Sequence, residues 1–134
     1  MKKYQVLTNK NLAVLQCLKA FKLSDVYDAL EELSRKVTAP VPLLVVDHSS
    51  EFEASLDELQ QIVNLFERYK KHFTNRVAYV VSKDVQYGLG HMAHVLCSKI
   101  GVDCFPFWDI WEARDWLSES LFDGFPVTRP MTGP

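Results

Sequence analysis

Leu43-Leu44-Val45-Val46-Asp47 is followed eight residues later by Ser55-Leu56-Asp57-Glu58. The first run is apolar, rich in β-branched residues and of strand length, so it reads as a buried strand. The second has capping-box spacing, in which the serine oxygen accepts from the backbone N–H three residues on while Glu58 reaches back. The helix opened there is expected to run to about Phe73, with Leu56, Leu59, Ile62, Val63, Phe66 and Phe73 as its buried stripe. Acids occupy its first turn, and Arg68, Lys70, Lys71 and His72 cluster at its end, where cations complement the helix dipole. A buried strand leading into an amphipathic helix is half of a βαβ unit.

The pattern extends in both directions. Upstream, residues 4–7 and 12–18 are short β-favouring runs separated by Thr8-Asn9-Lys10-Asn11, which is turn chemistry, so an antiparallel pair is expected to open the chain. Ser24 or Asp25 is placed to cap a helix with Val26, Leu30, Leu33 and Val37 at helical spacing, and Pro40 and Pro42 forbid its continuation. Downstream, residues 76–81 read as a strand, 87–99 as a helix and 102–107 as the last strand. Asp109-Ile110-Trp111-Glu112 is a second capping-box spacing, opening a helix that buries Ile110, Ala113, Trp116 and Leu117. The order β-β-α-β-α-β-α-β-α predicts an α/β fold: a five-stranded mixed sheet with about four helices joined by right-handed crossovers.

One domain over residues 1–134 suits a chain of this length, with 48% hydrophobic and 24% charged residues. Residues 118–134 carry three prolines and two glycines, which predicts irregular structure. Leu121, Phe122, Phe125 and Val127 are nevertheless too apolar for a solvated tail. This C-terminal segment is expected to pack on the domain or on a second copy, giving a homodimer.

Fifteen lysines and arginines against 17 acids leave no broad field to draw nucleic acid or an anionic membrane, so no nucleic-acid partner is expected. Apolar runs of strand length predict no integral membrane segment, and the start of the chain lacks a signal-peptide pattern, which predicts a cytoplasmic protein. Cys17, Cys97 and Cys104 lie in apolar contexts without Cys-x-x-Cys spacing and read as reduced, packed thiols.

With the elements placed, the chain resembles the SpoIIAA-like group of the STAS superfamily, which also includes the STAS/SEC14-type domains. The stretches that carry the resemblance are Leu43-Leu44-Val45-Val46-Asp47 ahead of a long helix, Arg76-Val77-Ala78-Tyr79-Val80-Val81 as an inner strand, and Phe107-x-Asp109-x-x-Glu112-Ala113-x-x-Trp116-Leu117. The resemblance implies a sheet domain that acts by binding, without catalysis of its own. In the anti-sigma-factor antagonists of that group, a serine at the start of the helix after the third strand is phosphorylated and switches partner binding. Ser55 stands at the comparable place and is the phosphoacceptor-position candidate, although its context is Glu53-Ala54-Ser55-Leu56-Asp57-Glu58. Those neighbouring acids oppose an added phosphate, and the capping box already accounts for the residue.

The other candidates concern ligands and partners. His91, His94 and Cys97 have a spacing suggestive of metal ligation, but Cys104 and His48, the remaining donors, lie on separate strands with no predicted convergence, so no metal is expected. Tyr87-Gly88-Leu89-Gly90, read as a helix opening, is the right place for an anion or headgroup, with Lys83 nearby; the simpler reading is a tight turn. Asp47 and His48 end the central strand, where ligands of open sheets bind, but adjacent strand residues point to opposite faces. Trp108 and Trp111 are the aromatics expected at the surface. No nucleophile has an assembled base, so no catalytic residue and no cofactor are expected. Three readings follow. The first is a noncatalytic STAS-like regulatory or interaction domain, the second a carrier or sensor of a small apolar or lipid-like ligand, and the third a hydrolase or metal-dependent enzyme. An enclosed apolar cavity would favour the second, and a filled core beside an exposed apolar patch the first.

Overall fold

The computed structural model describes residues 3–49 and 54–121. Strands Tyr4–Thr8 (β1) and Ala13–Cys17 (β2) pair antiparallel, turned by Asn9, whose Oδ1 accepts from the Asn11 N–H at 2.8 Å. Helix Leu23–Lys36 (α1) leads to Val41–Asp47 (β3), and helix Leu56–Tyr69 (α2) with a 3₁₀ turn at Lys70–His72 leads to Phe73–Val80 (β4). Helix Asp84–Ser98 (α3), strand Asp103–Phe107 (β5) and helix Ile110–Leu121 (α4) complete the expected β-β-α-β-α-β-α-β-α order. Four helices and a five-stranded mixed sheet result.

The strands lie side by side in chain order, and β2 through β5 are parallel. Each crossover therefore steps the same way, and right-handed connections put α1, α2 and α3 on one face. The main core forms there, from Ala13, Leu15, Val26, Leu30, Leu33, Leu43, Val45, Val63 and Val77 among others. The chain then turns back, and α4 covers the other face over β3 and β4, where Leu44, Ala78, Val80, Ala113 and Leu117 form a smaller core. Arg76 anchors this helix: its Nη1 donates to the Trp116 carbonyl at 2.6 Å, and its guanidinium lies 4.9 Å from the Trp116 ring.

Several boundaries differ from the sequence reading. α1 starts at Leu23, with Lys22 as its cap rather than Ser24 or Asp25. Asp25 sits one turn in and accepts from the Lys22 N–H at 2.8 Å. Phe73 leaves the α2 stripe and starts β4, because the chain reverses through the 3₁₀ turn at the basic cluster; Leu56, in the first turn of α2, is exposed. Ile110 is also partly exposed, since it lies at the end of α4 beyond the covered strands. Residues 118–121, expected to be irregular, continue α4 as helix, and 122–134 lie outside the described residues. α3 starts three residues before Tyr87, so Gly88 and Gly90 lie within the helix and do not open it. That removes the geometric basis of the anion cradle, since N–H groups past the first turn of a helix are already bonded.

Candidate functional site

At the carboxyl end of β3, Asp47 is buried on the face covered by α1–α3. Its Oδ1 accepts from the Ser49 N–H at 2.9 Å and from the Ser49 hydroxyl, and its Oδ2 accepts from the Tyr79 hydroxyl. Three donors thus use most of the roughly four acceptor sites of a carboxylate. Burial, followed by the Asp47 charge, pushes the Tyr79 phenol far above its ordinary value, so it stays protonated as a donor. Behind Ser49, the buried Gln86 donates through Nε2 to the Ser49 carbonyl at 2.9 Å and accepts from the Ser82 N–H at 3.0 Å. Gln86, in the first turn of α3, thereby ties together the segments that leave β3 and β4. The network is shielded from solvent, with Asp47, Ser49 and Gln86 all buried.

Asp47 sits at the edge of an apolar cavity of about 80 Å³ between sheet and helices, bounded by Phe21, Leu59, Ile62, Phe66, Tyr79 and Leu89 among others. Drug-sized ligand pockets begin at roughly 300 Å³. The strand order never reverses, so the sheet also lacks the switch-point crevice in which open α/β folds hold ligands. His48 faces the other way, into an open groove of about 360 Å³ with Leu7, Val14, Leu44, Val46, Ile110 and Arg114. Asp47 and His48 therefore lie on opposite sides of the sheet.

Along the β5 edge, aromatic rings form a continuous chain. Tyr87 of α3 stacks on Trp108 with ring centres 4.9 Å apart and planes at 22°, and His91 meets Tyr87 edge-on at 4.6 Å. Phe105 then touches His91 at 5.5 Å and His94 at 5.3 Å, and beyond it lie Phe107 and Trp116. The two ends of this chain differ in burial: Trp108 is 48% exposed, whereas Trp116 is partly buried against the α4 core. Trp111, in the first turn of α4, is 66% exposed, with the Arg114 guanidinium 5.5 Å from its ring. Its backbone N–H donates to Asp109 Oδ1 at 2.8 Å, which fixes the start of the helix.

The possible metal donors separate. His94 Nδ1 lies 2.9 Å from the Cys104 carbonyl, which can only accept, so that nitrogen carries the proton. Cys97 points inward and, against the sequence expectation, meets Cys104 across the α3–β5 packing: the Cys104 thiol donates to Cys97. The bond lowers Cys97 from its ordinary value, while giving up that proton is made harder for Cys104 by the same bond and by burial. Among the described residues no three His, Cys, Asp or Glu side chains converge as a metal site. Ser55 caps α2, its Oγ accepting from the Glu58 N–H at 3.2 Å while Glu58 Oε1 accepts from the Ser55 N–H at 3.2 Å.

Two features escaped the sequence reading. The Asp47–Tyr79 bond joins residues 32 apart, a cross-strand relationship that no local period encodes. The outer face of α3 carried a legible but unused signal: between Val85 and Ser98 there is no Asp, Glu, Lys or Arg.

The architecture is a SpoIIAA-like fold. It is shared with the crystal structure of an uncharacterized protein of the DUF3478 family from Shewanella loihica PV-4, with a TM-score of 0.53 and 17% identity over 85% of this chain and 91% of that one. No protein-family model matches the sequence, and no curated protein matches it. Among the described residues no helix is long and apolar enough to cross a membrane.

Proposed function

We propose that this SpoIIAA-like domain is a noncatalytic regulatory module that binds a protein partner through the surface formed by Tyr87, His91, Trp108 and Trp111. The observation that carries the reading is the stacked, half-exposed Tyr87–Trp108 pair, with the largely exposed Trp111 three residues farther along the chain. Tryptophan and tyrosine dominate the energetics of protein interfaces because they bury large rigid areas at little entropic cost. A rigid pair already stacked in the free protein lowers that cost further. Three reduced, buried cysteines fit a cytoplasmic setting.

The competing readings have less behind them. A lipid-like ligand needs several times the roughly 80 Å³ of the apolar cavity under the helices, and the roomier groove beside His48 is open to solvent and partly polar. A hydrolase needs an accessible nucleophile against a base, whereas Ser49, whose hydroxyl donates to Asp47, is buried with it and His48 lies across the sheet. Ser55 serves as a helix cap in this reading.

A photoreactive benzophenone amino acid at position 111, introduced into the protein in the cells it comes from, tests the proposal. Cross-links to a discrete protein from position 111, and none from Gln5 on the exposed face of β1, are expected. Equal labelling at both positions, or none at 111, overturns it.

A further inference from the structure

We propose that a second copy of the chain covers the outer face of α3, the two helices packing antiparallel about a two-fold axis that passes between His91 and Met92. This rests on the reading of the domain as a binding module and names one of its partners.

A surface helix ordinarily carries charge on its solvent side, as α1 does with Asp28, Glu31, Arg35 and Lys36. The outer face of α3 instead presents Val85, Gly88, Met92 and Val95, and the three with side chains are 56%, 46% and 58% exposed. Loss of charge together with exposed apolar side chains is the composition of an interface centre. The spacing 85, 88, 92, 95 is that of a helix-packing seam.

The order of residues along the seam identifies the occupant. In an antiparallel pair centred between His91 and Met92, Gly88 and Val95 lie equally far before and after the centre, so each Val95 faces the Gly88 of the other copy. Gly88 is open, since a Cβ built there meets nothing within 4 Å, and can receive the valine at close helix approach. At the ends, Asp84 and Lys99 also lie equally far before and after that centre, so each acid faces the other copy's lysine. Among the described residues neither forms an ion pair within the chain. A hollow opposite a knob, an acid opposite a base and a methionine beside the axis make the surface complementary to itself, as a two-fold interface requires. A parallel arrangement would put Asp84 on Asp84.

Sedimentation of the full chain between about 10 and 500 µM, the range in which weak self-association is visible, tests the proposal. The expected result is a monomer–dimer equilibrium whose dissociation constant rises at least about 10-fold in Gly88→Leu, a change the free monomer tolerates. Asp84→Lys and Lys99→Asp each weaken the dimer, and the double variant restores it, whereas damage to the helix itself would add. Under copper-phenanthroline oxidation Met92→Cys forms a disulfide dimer, while Val85→Cys, about 20 Å from its counterpart, does not; wild type, with its buried cysteines, is the background. A monomer at every concentration, or a dimer in which Val85→Cys cross-links as well as Met92→Cys, overturns the proposal. Neither result alters the cross-links from position 111, which test the partner surface separately.

Discussion

Tyr79 donates its phenolic hydrogen to Oδ2 of Asp47, joining the carboxyl ends of β4 and β3 beneath α1–α3. The register explains the reach. Val45 lies opposite Tyr79, and Asp47 is two residues farther along the same face of β3. A buried carboxylate at a sheet end is tolerable only with its lone pairs occupied, and the phenol and Ser49 occupy them.

Removing the phenolic hydroxyl should therefore cost more than an average hydrogen bond. Tyr79→Phe leaves one Asp47 oxygen without its buried donor, and a loss of about 1–3 kcal/mol is expected in urea unfolding. Tyr79→Phe combined with Asp47→Asn should lose less than the two single changes added together, because the second change removes the charge the first left exposed to the core. Strict additivity of the two would mean that the bond contributes nothing.

The same bond sets an alkaline limit. Tyr79 is raised above its ordinary value of 10.0, and Cys17 and Cys104 above 9.0, each chiefly through burial, or for Cys104 through its bond to Cys97. A group held protonated in the fold stabilises it fully below its unfolded pKa. Above that value only the unfolded chain releases the proton, so stability falls as pH rises. The urea midpoint should be level to about pH 8 and decline from about pH 9 upward. The decline should be shallower in Tyr79→Phe, and an identical slope would exclude this tyrosine as its source.

Gly90 and Gly88, two residues apart on α3, should respond oppositely to alanine. A Cβ at Gly90 would sit 2.6 Å from the Pro106 Cβ and 3.1 Å from the Tyr79 ring, so Gly90→Ala must push α3 off β5, at about 1–3 kcal/mol. At Gly88 nothing lies within 4 Å, and alanine should stabilise the helix by about 0.5–1 kcal/mol. Thermal unfolding at low protein concentration, where self-association does not contribute, compares the two. Equal effects would contradict this packing.

These glycines also mark where local sequence signals ended. Read as punctuation, they put the start of α3 at Tyr87, yet helix begins at Asp84 because Gln86 is held from outside by the Ser49 carbonyl and the Ser82 N–H. The contact with Ser49 spans 37 residues and leaves no trace in periodicity. Phe73 went to the wrong element for a related reason: one apolar residue after a basic cluster fits the end of a helical stripe as well as the start of a strand. By contrast, β3, the Ser55–Glu58 cap and the alternation of elements were legible, since strand period, helix period and cap chemistry agree locally there. The exposed positions of Trp108 and Trp111 followed from the same spacing. The meeting of Cys97 with Cys104 did not, because it depends on how closely α3 settles on β5, which Gly90 governs.

Ser55 offers a test in which cap and switch predict different outcomes. Ser55→Ala removes the acceptor of the Glu58 N–H and should cost about 1 kcal/mol. Ser55→Asp keeps an acceptor at the cap and adds charge at the positive end of the helix, so stability should return to near the starting value. If the residue acts only as a cap, both variants retain the cross-link from position 111 in full. Loss of that cross-link in Ser55→Asp at unchanged stability would instead make the residue a charge-sensitive control of binding. The flanking Asp57 and Glu58 argue against that outcome, since an added negative charge already meets two others in the first turn of α2.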